Sequence, residues 1–267
     1  MRLWWSALVL AVLLIGALVA AFWTPHAIDG VAIANRFASP SRQFPLGTDQ
    51  YGRDTLSMLM AGGATSLGVA AAATIIGVGA GSVLGLMGVA FGGLGDGAVM
   101  RISDVVFAFP ALIVAALLAT AFGPGSINAV IAIGIFNIPV FARLSAASAR
   151  RYFQLEFADA ARLAGKSEVR IAAEHVAPNI APIIATQAAT QFAVAILAEA
   201  GLSYVGLGAQ PPQVSWGRML AESQTLVPIA PQLAIWPGIA ITISVFAVTA
   251  FGETLRVRLD PRRTFEA

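Results

Sequence analysis

Six runs of this chain are nearly free of charge, and each is long enough to cross a hydrocarbon core about 30 Å thick, which takes roughly 17–25 helical residues. They cover residues 3–23, 64–91, 105–122, 126–142, 183–204 and 233–251. Composition points the same way: 58% of the residues are hydrophobic and 11% charged, where a soluble domain carries about 25% charged residues. The fold class read from this is an all-α membrane protein of about six transmembrane helices, with a large soluble α/β core as the rival. A cleaved signal peptide is the rival reading of the first run, since Arg2 precedes it and small residues follow. Its 21 residues exceed the usual signal-peptide apolar region of about 7–15, which favours an uncleaved span.

Orientation follows from the basic residues. With the N-terminus inside, the cytoplasmic side holds Arg2, Arg101, six basic residues from Arg143 to Arg170 and four from Arg256 to Arg263, 12 in all, against four outside (Arg36, Arg42, Arg53 and Arg218). The positive-inside rule supports this arrangement and puts both termini in the cytoplasm. The net charge of +2 is small, so no nucleic-acid partner is implied. Cysteine is absent, which excludes disulfides and thiolate metal sites.

Several activities lack their residues. Gly165-Lys166-Ser167 imitates the end of a phosphate-binding loop, but Ala160 stands where its first glycine belongs. The chain is therefore not expected to hydrolyse ATP. Ionisable groups inside a membrane usually mark ion or proton pathways. Between Asp54 and Asp96, 41 residues carry no charge, and only Glu199 lies near a span, towards its outer end. That counts against a proton-driven transporter. Within the spans, Gly77, Gly81 and Gly85 recur every four residues, with Gly88 one position short, which reads as a close helix contact. Pro110 and Pro139 are each expected to bend a helix.

One long polar segment interrupts the hydrocarbon. Residues 157–179 hold six charged side chains and His175. Residues 157–164 are helix-forming, Gly165 interrupts them, and Ser167 can cap a second helix with Glu168 in its first turn. Pro178 is expected to end the polar segment. The reading is a cytoplasmic knob of two short helices, with a coupling loop over about residues 143–182.

Here the chain resembles a known family. Asp159-Ala160-Ala161, Gly165 and His175-x-x-Pro178-Asn179 are similar to the EAA loop of ABC importer permeases of the dipeptide, oligopeptide and nickel family. Residues 45–54 (PLGTDQYGRD), the region from Phe109-Pro110 to Gly123-Pro124-Gly125 and residues 199–220 (EAGLSYVGLGAQPPQVSWGRML) match the same family. The pattern resembles the second, C-type permease of the pair, over roughly residues 44–262. Asp159 departs from it by replacing the usual Glu.

The resemblance implies a permease of the bacterial inner membrane that is no enzyme itself. Its implied partners are a second homologous permease, two ATPase subunits carrying ATP and magnesium, and an extracytoplasmic substrate-binding protein. Asp159, Ala160, Ala161, Gly165, His175, Pro178 and Asn179 would couple it to an ATPase, with the first three at the docking face. No catalytic residue, metal ligand or cofactor is expected in this chain. The domain reading is 1–63, a first span plus an outward segment, and 64–267, the permease domain. Residues 24–63 and 206–232 are candidate docking surfaces for the binding protein. Trp216 suggests an interfacial anchor there. A secondary transporter or channel, a membrane scaffold, and a permease for nickel or another small solute are the alternatives.

On the fifth run, Gln187, Thr190, Gln191, Val194 and Ala198 fall within one stripe about 100° wide. Two readings stay open for it. Buried Gln and Thr can bond neighbouring helices, or the stripe can line a path in which neutral amides both donate to and accept from a peptide backbone.

Overall fold

The computed structural model describes residues 2–20 and 22–259, with side chains for 7–20 and 22–258. Arg262 and Arg263, placed inside by the charge count, lie outside the described residues. Among the described residues the strand-like pairing is one isolated bridge, between Thr48 and Asp54. Helix α1 (Arg2–Ala20) is followed by an outer segment, and then α2 (Thr55–Ile76) passes through a π-helical turn, Gly77–Gly81, into α3 (Ser82–Phe91). Next come α4 (Gly93–Ala108), α5 (Ala111–Phe122) and α6 (Ser126–Phe153). The short α7 (Glu156–Leu163) and α8 (Glu168–Ile171) lead through a second π turn, Ala172–Val176, into α9 (Ala177–Tyr204). A short α10 (Trp216–Ser223) and the long α11 (Gln232–Leu259) complete the order.

Four stretches are each long and apolar enough to cross a membrane: Thr55–Phe91, Ser126–Phe153, Glu168–Tyr204 and Gln232–Arg258. The α4–α5 pair adds a fifth if its two arms count as one span. Helix α1 has a shorter apolar run, Ala7–Ala20, whose Leu10, Leu13 and Ala17 pack against the main core. That core is assembled from α2, α6, α9 and α11, through Leu67, Ala73, Ile133, Ile196 and Val248 among others. A second core, around Phe141, Phe153, Ile171, Val176 and Ile180, joins the far end of α6 to α7 and to the start of the α8–α9 stretch.

The glycine row is a packing seam. A Cβ on Gly77 would strike Asn137, one on Gly81 the Ile138 carbonyl, and one on Gly85 the Ala142 carbonyl. Gly88 continues the seam against Val99 of α4. Backbones meet this closely because, without a hydrophobic drive between helices in lipid, contact area supplies the attraction. Gly85→Val should therefore lower stability by about 1–3 kcal/mol, the usual cost of overpacking. Thermal unfolding of the purified protein measures this, and an unchanged midpoint would remove the seam from the account.

Several boundaries differ from the sequence reading. The expected single span over residues 105–122 is broken into α4 and α5, bent by 79°, because Pro110 lacks an amide proton and disfavours helix at Phe109. Pro139 instead lies buried within one continuous α6, where neighbouring helices support a proline that solvent would not. Helix α2 starts at Thr55 because Asp54 caps it, accepting from the Leu56 and Ser57 amides at 3.3 and 3.1 Å. The boundary drawn at residue 63 thus falls inside a helix. Pro178 closes the polar segment without ending a helix. The Ala177 amide reaches back to the Ala172 carbonyl, widening the turn just before the proline ring, and the helix runs on to Tyr204. The second knob helix is therefore the first turn of the long α8–α9 stretch.

Candidate functional site

The polar knob is built from local signals. Helix α7 closes with the Gly165 amide bonded to the Arg162 carbonyl and the Lys166 amide bonded to the Ala161 carbonyl, at 2.9 and 3.1 Å. This double closure needs a left-handed residue, and Gly165 has φ +79°. Ser167 then caps α8, its hydroxyl accepting from the Arg170 amide at 3.4 Å. On the inner side of this reversal Ala158 and Ala161 of α7 pack into the second core.

Charged side chains brace the reversal. Arg162 donates to Asp159 at 2.7 Å and to both oxygens of Glu168 at 2.7 and 3.1 Å. The hydrogen bonds to Glu168, and then to Asp159, hold its guanidinium above the ordinary arginine pKa. Lys166 donates to Glu174 at 2.7 Å and to His175 Nε2 at 2.9 Å. Lysine has no acceptor, so the imidazole nitrogen accepts. Exposed pairs such as these add little stability; they hold the knob in one shape.

The coupling residues named from the sequence are brought together here, but they do not share one face. Asp159 and Ala160 are exposed, whereas Ala161 is 8% exposed and turned into the knob's own core. Gly165 is open, and a Cβ on it would meet nothing within 4 Å. His175 packs edge-on against Phe157, with ring centroids 6.0 Å apart. Pro178 is exposed, and Asn179 donates to the His175 carbonyl at 2.6 Å. Sequence reading missed Leu163, which is 91% exposed at the end of α7 and completes an outward patch with Asp159 and Ala160. Its signal was helical spacing, since it stands three positions after Ala160 and four after Asp159.

The α9 stripe divides. Gln191 donates to Asn137 of α6 at 3.1 Å, and Asn137 in turn donates to the Ala73 carbonyl of α2 at 3.3 Å. This chain of bonds ties three helices together. Thr190 and Val194 are exposed on the surface of this chain, while Gln187 and Ala198 are half-buried.

At the bundle end opposite the knob, the segment after α9 folds back onto α2. Trp216 is 3% exposed there, so it fills the protein interior and is no interfacial anchor. Its backbone amide donates to Ser66 Oγ at 3.1 Å and its indole to the Leu59 carbonyl at 2.9 Å. Arg53, bonded to Asp49 and Glu222, joins residues 24–54 to α10. Between these segments lies a cavity of about 380 Å³ lined by Ile28, Asp29, Tyr51, Arg53, Pro212 and Glu222 among others.

A family model described as "Binding-protein-dependent transport system inner membrane component" matches residues 77–265. The chain belongs to that family. The glutathione transport system permease protein GsiD of Pectobacterium atrosepticum is 37% identical over 223 residues, covering 84% of this chain and 74% of the relative. A protein of Brucella abortus biovar 1 named as a peptide transport system permease is 36% identical, covering 97% of this chain and 88% of its own. GsiD of Escherichia coli O6:K15:H31 is 36% identical, covering 96% and 85%. This chain is thus a multi-pass inner-membrane component of an ABC importer. Such a permease works with an ATPase and a binding protein. The long apolar helices and the glycine seam are its membrane body.

Proposed function

We propose that this chain is the C-type permease of a peptide importer. It forms half of a translocation path with a second, homologous permease, and it is driven by two ATPase subunits that carry ATP and magnesium. The observation that carries this reading is the knob: a braced, polar elbow rooted directly in the long α8–α9 helix. A push on α7 is transmitted through the second core to α6 and α9 without passing through a flexible loop. Asp159, Ala160 and Leu163 form the docking face, and Gly165 sets its angle. His175 and Asn179 support the elbow from behind, and Pro178 sits where the widened turn meets α9. Six spans with both termini in the cytoplasm put the knob beside the ATPases and the cavity on the side of the binding protein. Peptides are the substrate class because the relatives just described are named for glutathione and peptide transport.

Reconstitution tests this directly. Proteoliposomes holding both permeases, the ATPases and the binding protein should take up labelled di- and tripeptides only with ATP. Uptake by this chain without ATPases would favour the secondary-transporter reading. Topology has its own check, since the chain has no cysteine: Gln213→Cys should react only with reagent added from outside.

For the α9 stripe we propose a split role, with Gln187, Thr190 and Val194 facing the path and Gln191 holding helices together. Gln187→Leu should lower uptake while leaving assembly intact. Gln191→Leu should cost stability of about 0.6–2 kcal/mol, the range for interhelical hydrogen bonds in membranes. Equal thermal midpoints for the two variants would contradict this division.

A further inference from the structure

Glu199 of α9 is only 1% exposed, and the six apolar runs of the sequence are otherwise free of charge. Ser203 Oγ donates to its Oε1 at 2.6 Å. Ser66 of α2 and Ser215, the cap of α10, approach the same carboxyl group. Among the described residues Oε2 has no hydrogen-bond partner. All three serine oxygens are already acceptors: Ser203 takes the Ala209 amide at 3.1 Å, Ser66 the Trp216 amide at 3.1 Å and Ser215 the Arg218 amide at 3.2 Å. A hydroxyl that accepts on its oxygen still has its own proton to donate. One hydroxyl thus binds the carboxyl group, and two more, from α2 and the cap of α10, stand beside it with protons free to donate. The backbone is equally close, for a Cβ on Gly217 would run into the Ala200 backbone of α9, and one on Gly208 into Ser203.

An acidic group inside a membrane helix is costly and marks function. The segment that Glu199 gathers, residues 206–223, supplies Pro212, Gln213 and Glu222 to the cavity wall, so its placement sets the shape of that cavity. We propose that Glu199 is a positioning residue of transport: it ties this outer segment to α2 and α9, and the segment travels with those helices as one body when the outer mouth changes shape. The segment is then part of the moving wall and not an independent flap. This rests on the importer reading above.

The test uses the full complex in proteoliposomes, with cysteine-free partner chains, reading labelled dipeptide uptake per ATP hydrolysed. Glu199→Ala should lower that ratio about tenfold, what the loss of one strong hydrogen bond represents, with the complex still assembled. A Ser66→Cys/Ser215→Cys pair in the Glu199→Ala chain should cross-link on oxidation and recover most of the loss relative to the same chain reduced. In the chain that keeps Glu199, oxidising the pair should leave uptake unchanged. Uptake that stops on oxidation and returns with reductant would overturn the proposal, because the segment would then have to leave α2 to open the mouth. So would a pair that does not cross-link, or Glu199→Ala with wild-type coupling. If Glu199→Ala does not assemble, the oxidised pair in the chain that keeps Glu199 decides alone. Absence of ATP-dependent uptake by the wild-type complex would instead remove the importer reading.

Discussion

Gly165→Val should cut ATP-driven uptake about tenfold, while Gly165→Asn should stay close to wild type. Gly165 has φ +79°, and left-handed backbone costs an L-residue roughly 1–2 kcal/mol, least for Asn, whose short side chain bonds locally. Tenfold corresponds to about 1.4 kcal/mol. Because a Cβ at this position would touch nothing within 4 Å, the effect is one of backbone conformation and not of collision. A valine escapes its strain by opening the two bonds that close α7, which swings the proposed docking face of Asp159, Ala160 and Leu163 out of position. Co-purification of the ATPase should fall in parallel with uptake. If valine and asparagine transport equally, the glycine's conformation is not what sets the docking angle.

Trp216→Ala should be the most destabilising single change outside the knob. Fully burying and then deleting an indole costs about 3–5 kcal/mol through the cavity left behind. Trp216 is seated on two glycines of α2, so closely that a Cβ on Gly63 would lie 2.9 Å from the ring. The helix backbone can collapse into that space only by shifting α2 against α9. Trp216→Phe keeps most of the volume but loses the bond to the Leu59 carbonyl, so its cost should be about 1 kcal/mol. Thermal unfolding of the purified protein ranks the three chains. A Trp216→Ala midpoint equal to wild type would return this residue to the membrane interface.

What could be read without a structure was what depends on neighbours a few residues away. Hydropathy marks a span because the bilayer is a solvent that each segment meets independently, and four of the runs emerged as long apolar helices. The knob's reversal was equally legible, since the glycine and the serine cap each act within one turn. A bend at Pro110 was expected, though not a break of 79°, which depends on what α4 and α5 pack against.

The rest was decided where distant segments meet. Pro178 marks the end of the polar residues, but that one helix runs through it was decided by the π turn before it, which changes the register the ring meets. Ala160 and Ala161 are adjacent and identical in chemistry, yet one is exposed and the other buried, since only the second core distinguishes the two sides of α7. Trp216 looked interfacial until its bond to Ser66, 150 positions away in sequence, put it inside. Glu199 has the same history: a lone acid at the end of a span is uninformative until Ser66, Ser203 and Ser215 converge on it. By itself, then, the sequence determined the membrane solvent, most of the helices and the closure of the knob, because solvation and turn chemistry are local. Only the tertiary structure decided which face of each helix is covered and which polar groups satisfy one another, because those depend on contacts that sequence order does not record.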